Sequence, residues 1–145
     1  MKRILVATDG SDDANRAVDY AAELAKDAGA ELVVVNVSDG YGLPGEIFNQ
    51  FTRAQHAWLD EMLESASAEI LNGARARAQA VGVASVQLES RRGVPAQTII
   101  DIAAEKQADA IVVGKRGAGR VAGMLLGSVS QKLVSLAPCV VIVVP

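Results

Sequence analysis

The stretch Ile4-Leu5-Val6-Ala7-Thr8-Asp9-Gly10-Ser11-Asp12-Asp13 passes from an apolar run straight into a polar turn and a group of helix-capping residues. Residues 4–8 are near-continuously apolar, the pattern of a strand covered on both faces rather than one with a wet side. Ser11, Asp12 and Asp13 then cap a helix. Its apolar positions Ala14, Val18, Ala21, Ala22, Leu24 and Ala25 recur at helical spacing until Gly29 stops it. A buried strand feeding directly into an amphipathic helix is the first half of a parallel strand–helix–strand unit.

The same succession repeats along the chain. Residues 31–37, 110–114 and 140–144 are apolar runs that read as buried strands, whereas residues 85–89 alternate and read as a half-exposed edge strand. Between them, residues 46–80 read as one long helical stretch, with Phe48, Phe51, Trp58, Met62, Ala66 and Ile70 on one stripe. Asn72-Gly73 is the expected kink, because glycine costs ~1 kcal/mol in a helix interior. A third helix starts at Pro95 and covers Ile99, Ile100, Ile102 and Ala103. A fourth follows Gly127-Ser128 and stops before Pro138. Right-handed crossovers then give one doubly wound α/β domain over residues 1–145: a five-stranded parallel sheet, order 3-2-1-4-5, with helices on both faces. Ligands of such sheets bind outside the carboxyl ends of the strands where the order reverses, here between the first and fourth strands. The residues singled out by that rule are Thr8-Asp9-Gly10-Ser11 and Gly114-Lys115-Arg116-Gly117.

Composition excludes several function classes. The 145 residues are 50% hydrophobic and 21% charged, which is a folded chain and not a disordered one. Aromatics are only 3%, too few for base-stacking platforms, and the net charge of −3 gives no overall field for a nucleic acid or an acidic membrane surface. From residue 110 onward there is no Asp or Glu, only the cations Lys115, Arg116, Arg120 and Lys132. That stretch is therefore +4, and the remaining ten cations and seventeen acids leave residues 1–109 at −7. The single Cys139 cannot form an internal disulfide, so a cytoplasmic location is expected, and it reads as packing. The first apolar run is too short for a signal peptide and no run approaches the ~18 residues of a membrane span. His56 has no second His or Cys at ligand spacing, so no metal site is expected there.

Chemistry concentrates after the fourth strand. Five glycines, Gly114, Gly117, Gly119, Gly123 and Gly127, precede a helix that opens on Ser128, Val129 and Ser130. Glycines allow close backbone approach and inward-turned N–H groups, and a helix amino end adds free donors and a positive dipole end. Ser128 and Ser130 add hydroxyls, and no acid stands there to repel an anion. The reading is a phosphate cradle. Lys115 and Arg116 either reach the phosphates or are solvated loop charges. The first helix is the opposite case: its amino end carries Asp9, Asp12 and Asp13, the last two as ordinary caps, with Asp9 placed to accept from ribose hydroxyls. Other phosphate motifs fail. A P-loop would need G-x-x-x-x-G-K-[ST], but Asp109 stands where its first glycine belongs, and the loose Gly117-x-Gly119-x-x-Ala122 match follows the wrong strand for a dinucleotide fingerprint.

These residues resemble the universal stress protein family over the whole chain. Its G-x2-G-x9-G-[S/T] signature is met by Gly114, Gly117, Gly127 and Ser128, and residues 4–11 and 108–114 are also similar. The resemblance implies an adenine nucleotide alpha hydrolase-like fold and the ATP-binding kind of member. By position it implies that Asp9 contacts the ribose, that Val37 meets the adenine, and that Ala7 and Val113 line the base and sugar pocket. Gly114, Gly117, Gly127, Ser128 and Val129 would then hold the phosphates. Ala7 stands where many members have proline. Residues 38–45 look like the variable flap beside the base. The family commonly pairs through its last strand, which agrees with a homodimer through Val140–Val144.

Three functions remain on the sequence: a nucleotide-dependent regulator or sensor with an unknown protein partner, a slow ATP hydrolase, and a dimeric interaction module that binds no nucleotide. The first is favoured. A dedicated hydrolase would place a base or metal carboxylates near the γ-phosphate, and the cradle segment has neither acid nor His, so no catalytic residue is assigned. The expected ligand is ATP, or AMP or ADP, with Mg²⁺ carried in on the nucleotide.

Overall fold

The alternation of side chains along a strand explains why the buried runs are apolar throughout. In the computed structural model, which describes residues 1–38, 44–115 and 126–145, five strands form one parallel sheet: β1 (Arg3–Ala7), β2 (Glu31–Ser38), β3 (Val86–Arg92), β4 (Ala110–Gly114) and β5 (Val140–Val144). Their order is β3-β2-β1-β4-β5, as the sequence predicts. Ile4, Val6, Leu32, Val34 and Val112 face one side, where they pack on α1 (Asp12–Ala28) and α3 (Arg53–Val81) through Ala17, Val18, Ala21, Leu71, Ala74 and Ala78. Leu5, Val33, Val35, Ile111 and Val113 face the other side, covered by Ile99, Ile102 and Ala103 of α4 (Pro95–Lys106) and Leu133 of α5 (Ser128–Leu136). A polar residue at any of these central positions would be buried against one helix layer or the other.

Local signals set most of the helix ends. The Ser11 hydroxyl accepts from Ala14 N–H at 3.2 Å to start α1, and Gly29, at φ 65°, closes it in the left-handed region that glycine favours. The edge strand β3 pairs only with β2 and is half-exposed along its length, as its alternation implies.

The expected single helix over residues 46–80 is two. A short α2 (Gly45–Asn49) ends at Gln50, and α3 starts afresh behind Thr52, whose hydroxyl accepts from Gln55 N–H while the Gln55 side chain accepts from Thr52 N–H. This capping box breaks the helix twenty residues before the expected kink. Asn72-Gly73 lies inside α3 without interruption, because Leu71 and Ala74 on either side are buried and their packing outweighs the helix penalty of Gly73. The supposed stripe is not a core stripe either. Phe48 and Phe51 pack on His56, with Phe48 and His56 edge to face at 4.2 Å, while Trp58 and Met62 are exposed. The buried positions of α3 are Ser67, Leu71, Ala74 and Ala78, all in its second half.

Candidate functional site at the carboxyl ends of β1 and β4

Strand pairing itself opens the crevice. The ladder between β1 and β4 runs through Ile4, Leu5 and Val6 opposite Ala110, Ile111 and Val112. Between β1 and β2 it continues to Ala7 opposite Val35, and Thr8 N–H then donates to the Val35 carbonyl at 2.9 Å. Beyond Val6, β1 therefore stays with β2. On the other side β4 stays with β5 to Gly114 opposite Val144, after which Lys115 N–H donates to the Val144 carbonyl at 2.7 Å. The two central strands part at the switch point.

The β1–α1 turn is held from inside. Asn36, buried in an otherwise apolar strand, donates from its side-chain amide to the Thr8 carbonyl at 2.8 Å. The Thr8 hydroxyl accepts from Gly10 N–H at 3.1 Å, and Asp9 accepts from Ser11 N–H at 2.9 Å. Asp9 itself is exposed at the rim. Gly10, at φ 81°, lies under Ile70 of α3, whose nearest carbon would be 3.2 Å from an added Cβ.

The amino ends of α1 and α5 flank the crevice and differ in charge. In α1 the first turn carries Asp12 and Asp13, and the buried Asp13 carboxylate is paired with Arg16. In α5 the N-cap is Gly127, the first turn holds no acid, and among the described residues no side chain caps it. Its N–H donors and the positive end of its dipole are left for an anion. Ser128 is exposed there.

The structure joins the two halves of the glycine signature. Gly127 N–H donates to the Lys115 carbonyl at 2.8 Å. The buried Ser130 hydroxyl donates to the Gly114 carbonyl at 2.7 Å and lies 3.2 Å from that of Lys115. Its single proton is thus engaged by backbone, and it braces the end of β4 against α5. Gly114 also packs against α1: an added Cβ would sit 2.9 Å from the Asp13 carbonyl oxygen and 3.0 Å from its carbon, so only glycine fits between β4 and the first turn of α1. Arg116 and Gly117 lie outside the described residues, as do residues 39–43 of the flap.

Four of the apolar positions singled out by sequence come together. Val113 belongs to the core cluster on the α4 and α5 side, and Ala7, Val37 and Val129 pack against it. They come from the ends of β1, β2 and β4 and from the first turn of α5, on the α4 and α5 side of the sheet. Elsewhere, His56 is engaged by Phe48 and Phe51, and burial pushes the Cys139 thiol up, away from the thiolate form that reacts. Among the described residues, no three His, Cys, Asp or Glu converge as a metal-holding group, and no helix is long and apolar enough to cross a membrane.

Sequence reasoning missed Asn36 and Ile70. The signal for Asn36 was present: it is the lone polar residue between Leu32 and Val37 in a run otherwise made for burial, and a buried amide needs a partner. Ile70 gave none, because its contact with Gly10 depends on where α3 crosses the sheet.

Comparison with known proteins matches this geometry. A model of the universal stress protein family matches residues 1–145. A universal stress protein of Methanocaldococcus jannaschii is 36% identical over 148 residues, covering 99% of this chain and 81% of the relative. Among solved structures, a universal stress protein in complex with cAMP is 28% identical with a TM-score of 0.74, covering 99% of this chain and 95% of that one. The universal stress protein of Archaeoglobus fulgidus in complex with dAMP is 26% identical with a TM-score of 0.71, covering 100% and 98%.

Proposed function

Because the chain belongs to the universal stress protein family, we propose that it binds an adenine nucleotide between the carboxyl ends of β1 and β4 and acts as a nucleotide-dependent regulator in a stress response. The observation that carries this reading is the pairing of two surfaces at one crevice. In this reading Ala7, Val37, Val113 and Val129, which share the apolar cluster on the α4 and α5 side, form an apolar wall beside the α5 amino end, which no side chain among the described residues caps. The wall suits a purine and a sugar, and the helix end suits phosphate. Two structurally similar family members hold cAMP and dAMP, which supports adenosine as the recognised part.

In this reading Asp9 accepts from ribose hydroxyls at the rim. The N–H groups of Ser128 and Val129, the Ser128 hydroxyl and the Lys115 ammonium meet the phosphates, joined by Arg116 and Gly117. Gly114, Gly127, Thr8 and Ser130 hold the two loops in place. ATP is the ligand of first choice, with ADP and AMP as shorter alternatives, and Mg²⁺ enters on the nucleotide. Turnover is at most weak, since Asp13, the buried carboxylate nearest the cradle, is already paired with Arg16. The single domain would work in the cytoplasm as a homodimer. Among the described residues the outer edge of β5 has no strand beside it, and Val140, Val134 and Leu136 are exposed on β5 and α5. A regulatory protein partner would read the loaded state.

Mass spectrometry of small molecules leaving the purified protein, followed by calorimetric titration with ATP·Mg²⁺, AMP and GTP, tests the reading. Adenine nucleotides should bind and GTP should not. Absence of binding at millimolar ATP, or equal binding of GTP, would overturn it, and steady release of ADP would turn the regulator into an enzyme. Sedimentation at micromolar concentration should show a dimer.

A further inference from the structure

Among the described residues, the first half of α3 contributes to neither core cluster. None of residues 53–66 is buried, yet this half of the helix presents Trp58 at 58% and Met62 at 50% exposure, one turn apart. Ser65 and Ala66 follow as a small-residue floor, and Glu61 and Glu69 stand at the margins, so that Trp58, Glu61, Met62, Ser65, Ala66 and Glu69 line one shallow groove. Positions 58, 62, 65 and 69 share a helix face. Glu64 adds a further exposed carboxylate on the flank. No cation is among the described lining residues, and Arg92 is held at Asp60 on another side of the helix.

We propose that this groove docks a basic amphipathic segment of a partner protein. An apolar side chain of that segment would sit between Trp58 and Met62 over the Ser65 and Ala66 floor, and its Lys or Arg residues would face Glu61 and Glu69. Exposed tryptophan is the side chain most often found at the centre of protein interfaces, and methionine adapts to varied apolar partners. The charge selects the occupant. An acidic rim repels nucleic acid and anionic lipid, and a second copy presenting the same face would set Glu61 and Glu69 against their own counterparts. The groove lies on α3, which packs over β2 and β3, away from the free edge of β5. It is therefore separate from the proposed dimer edge.

Trp58 is the only tryptophan, so its emission reports on this groove alone. The test uses the full chain and two synthetic 14-residue helical peptides with the same leucine stripe, one flanked by lysines and one by glutamates. The lysine peptide should give a saturable blue shift of Trp58 emission that weakens as salt is raised, and the glutamate peptide should give none. Glu61→Lys with Glu69→Lys, both at exposed positions, should cut affinity for the lysine peptide at least about tenfold and let the glutamate peptide bind. Met62→Ala should weaken the lysine peptide without altering the charge preference, with circular dichroism confirming that each variant is folded. Equal responses to the two peptides, no response to either, or an unchanged lysine-peptide affinity in the charge-reversed variant would each overturn the proposal. An emission shift on concentrating the protein alone would assign the face to a second copy and overturn it as well.

Discussion

β1 and β4 lie side by side, and their two ends are built on opposite plans. At the amino end three backbone donors are met across the pair: the Asp109 carboxylate accepts from Lys2 N–H at 2.7 Å and Arg3 N–H at 2.9 Å, and Asp109 N–H donates to the Arg3 carbonyl at 2.8 Å. At the carboxyl end the ladder stops at Val6 and Val112, the strands part, and among the described residues α5 begins without a capping side chain. One end of the pair spends a carboxylate on its own backbone; the other leaves backbone donors unclaimed by side chains. Where a fold withholds a capping group, the uncapped N–H groups become the part of the surface able to hold an anion. Within the carboxyl end α1 and α5 repeat the contrast, Ser11, Asp12 and Asp13 against Gly127 and Ser128.

The largest effect should come from erasing that contrast. Gly127→Asp supplies α5 with the kind of cap that α1 has, and the extended backbone at Gly127, φ −71° and ψ 166°, accepts any residue. A carboxylate at the anion position should lower nucleotide affinity about ten- to a hundredfold, the loss of one or two charge-assisted contacts. Folding stability should rise by only a few tenths of a kcal/mol, because glycine is already a tolerable N-cap. Calorimetric titration and urea unfolding on the same samples read the two quantities separately. Unchanged affinity would mean that the α5 end holds no phosphate.

Next in size is Gly114→Ala. Its methyl group would meet the Asp13 backbone at 2.9 Å, where no flexible side chain can give way. The expected loss is about 1–3 kcal/mol, seen as a lower urea midpoint with an unchanged slope. A neutral result would show that the first turn of α1 yields easily, and the two helix ends would then be less rigidly set than their packing implies.

Much of this was legible in the sequence, and the failures have a common cause. Strand order, the edge position of β3 and the starts of α1, α4 and α5 follow from signals within a few residues: apolar runs, Ser11, Pro95, Gly127 and Gly29. The break at residues 50–52 was equally local, in Thr52 and Gln55, but the apolar count from Phe48 to Ile70 concealed it. Periodicity identifies a stripe without saying what it faces, so Trp58 and Met62 read like core and are not. At the site, sequence singled out Ala7, Val37, Val113 and Val129, which the fold places in one apolar cluster. It credited Gly114 with freedom to hold phosphate, while the structure shows a close approach to Asp13, about a hundred residues away. Ser130 was read as a free hydroxyl, yet its proton goes to the Gly114 carbonyl. Both of these contacts join chain segments apart in sequence, which no local pattern encodes.

A smaller effect sharpens the contrast from the α1 side. Ser11→Ala removes the side-chain acceptor of Ala14 N–H and should cost about 1 kcal/mol in urea unfolding, while the carboxylates of Asp12 and Asp13 keep the helix end negative. If the same change left stability untouched, the acidic residues alone would be sufficient to complement that helix end.

The smallest effect lies at the closed amino end and depends on pH. The backbone N–H groups of Arg3 and Lys2 hold the Asp109 carboxyl below the usual aspartate range, because both bonds favour the charged form. A carboxyl lowered in the folded state adds stability that is fully present above its unfolded value and is lost as pH falls through its folded value. One Asp109 oxygen accepts both bonds, so Asp109→Asn keeps an acceptor for them while removing the charge, and imitates the protonated acid. At neutral pH the variant should unfold at lower urea than the parent. The gap should narrow as the pH drops below about 4, the range in which an ordinary aspartate takes up its proton. Glu105, lowered by Arg91, titrates in the same window, but it is common to both proteins and cancels in the difference. A gap that stays constant down to the acid limit would show that Asp109 closes the strand ends by shape alone, and that charge distinguishes only the carboxyl end of the pair.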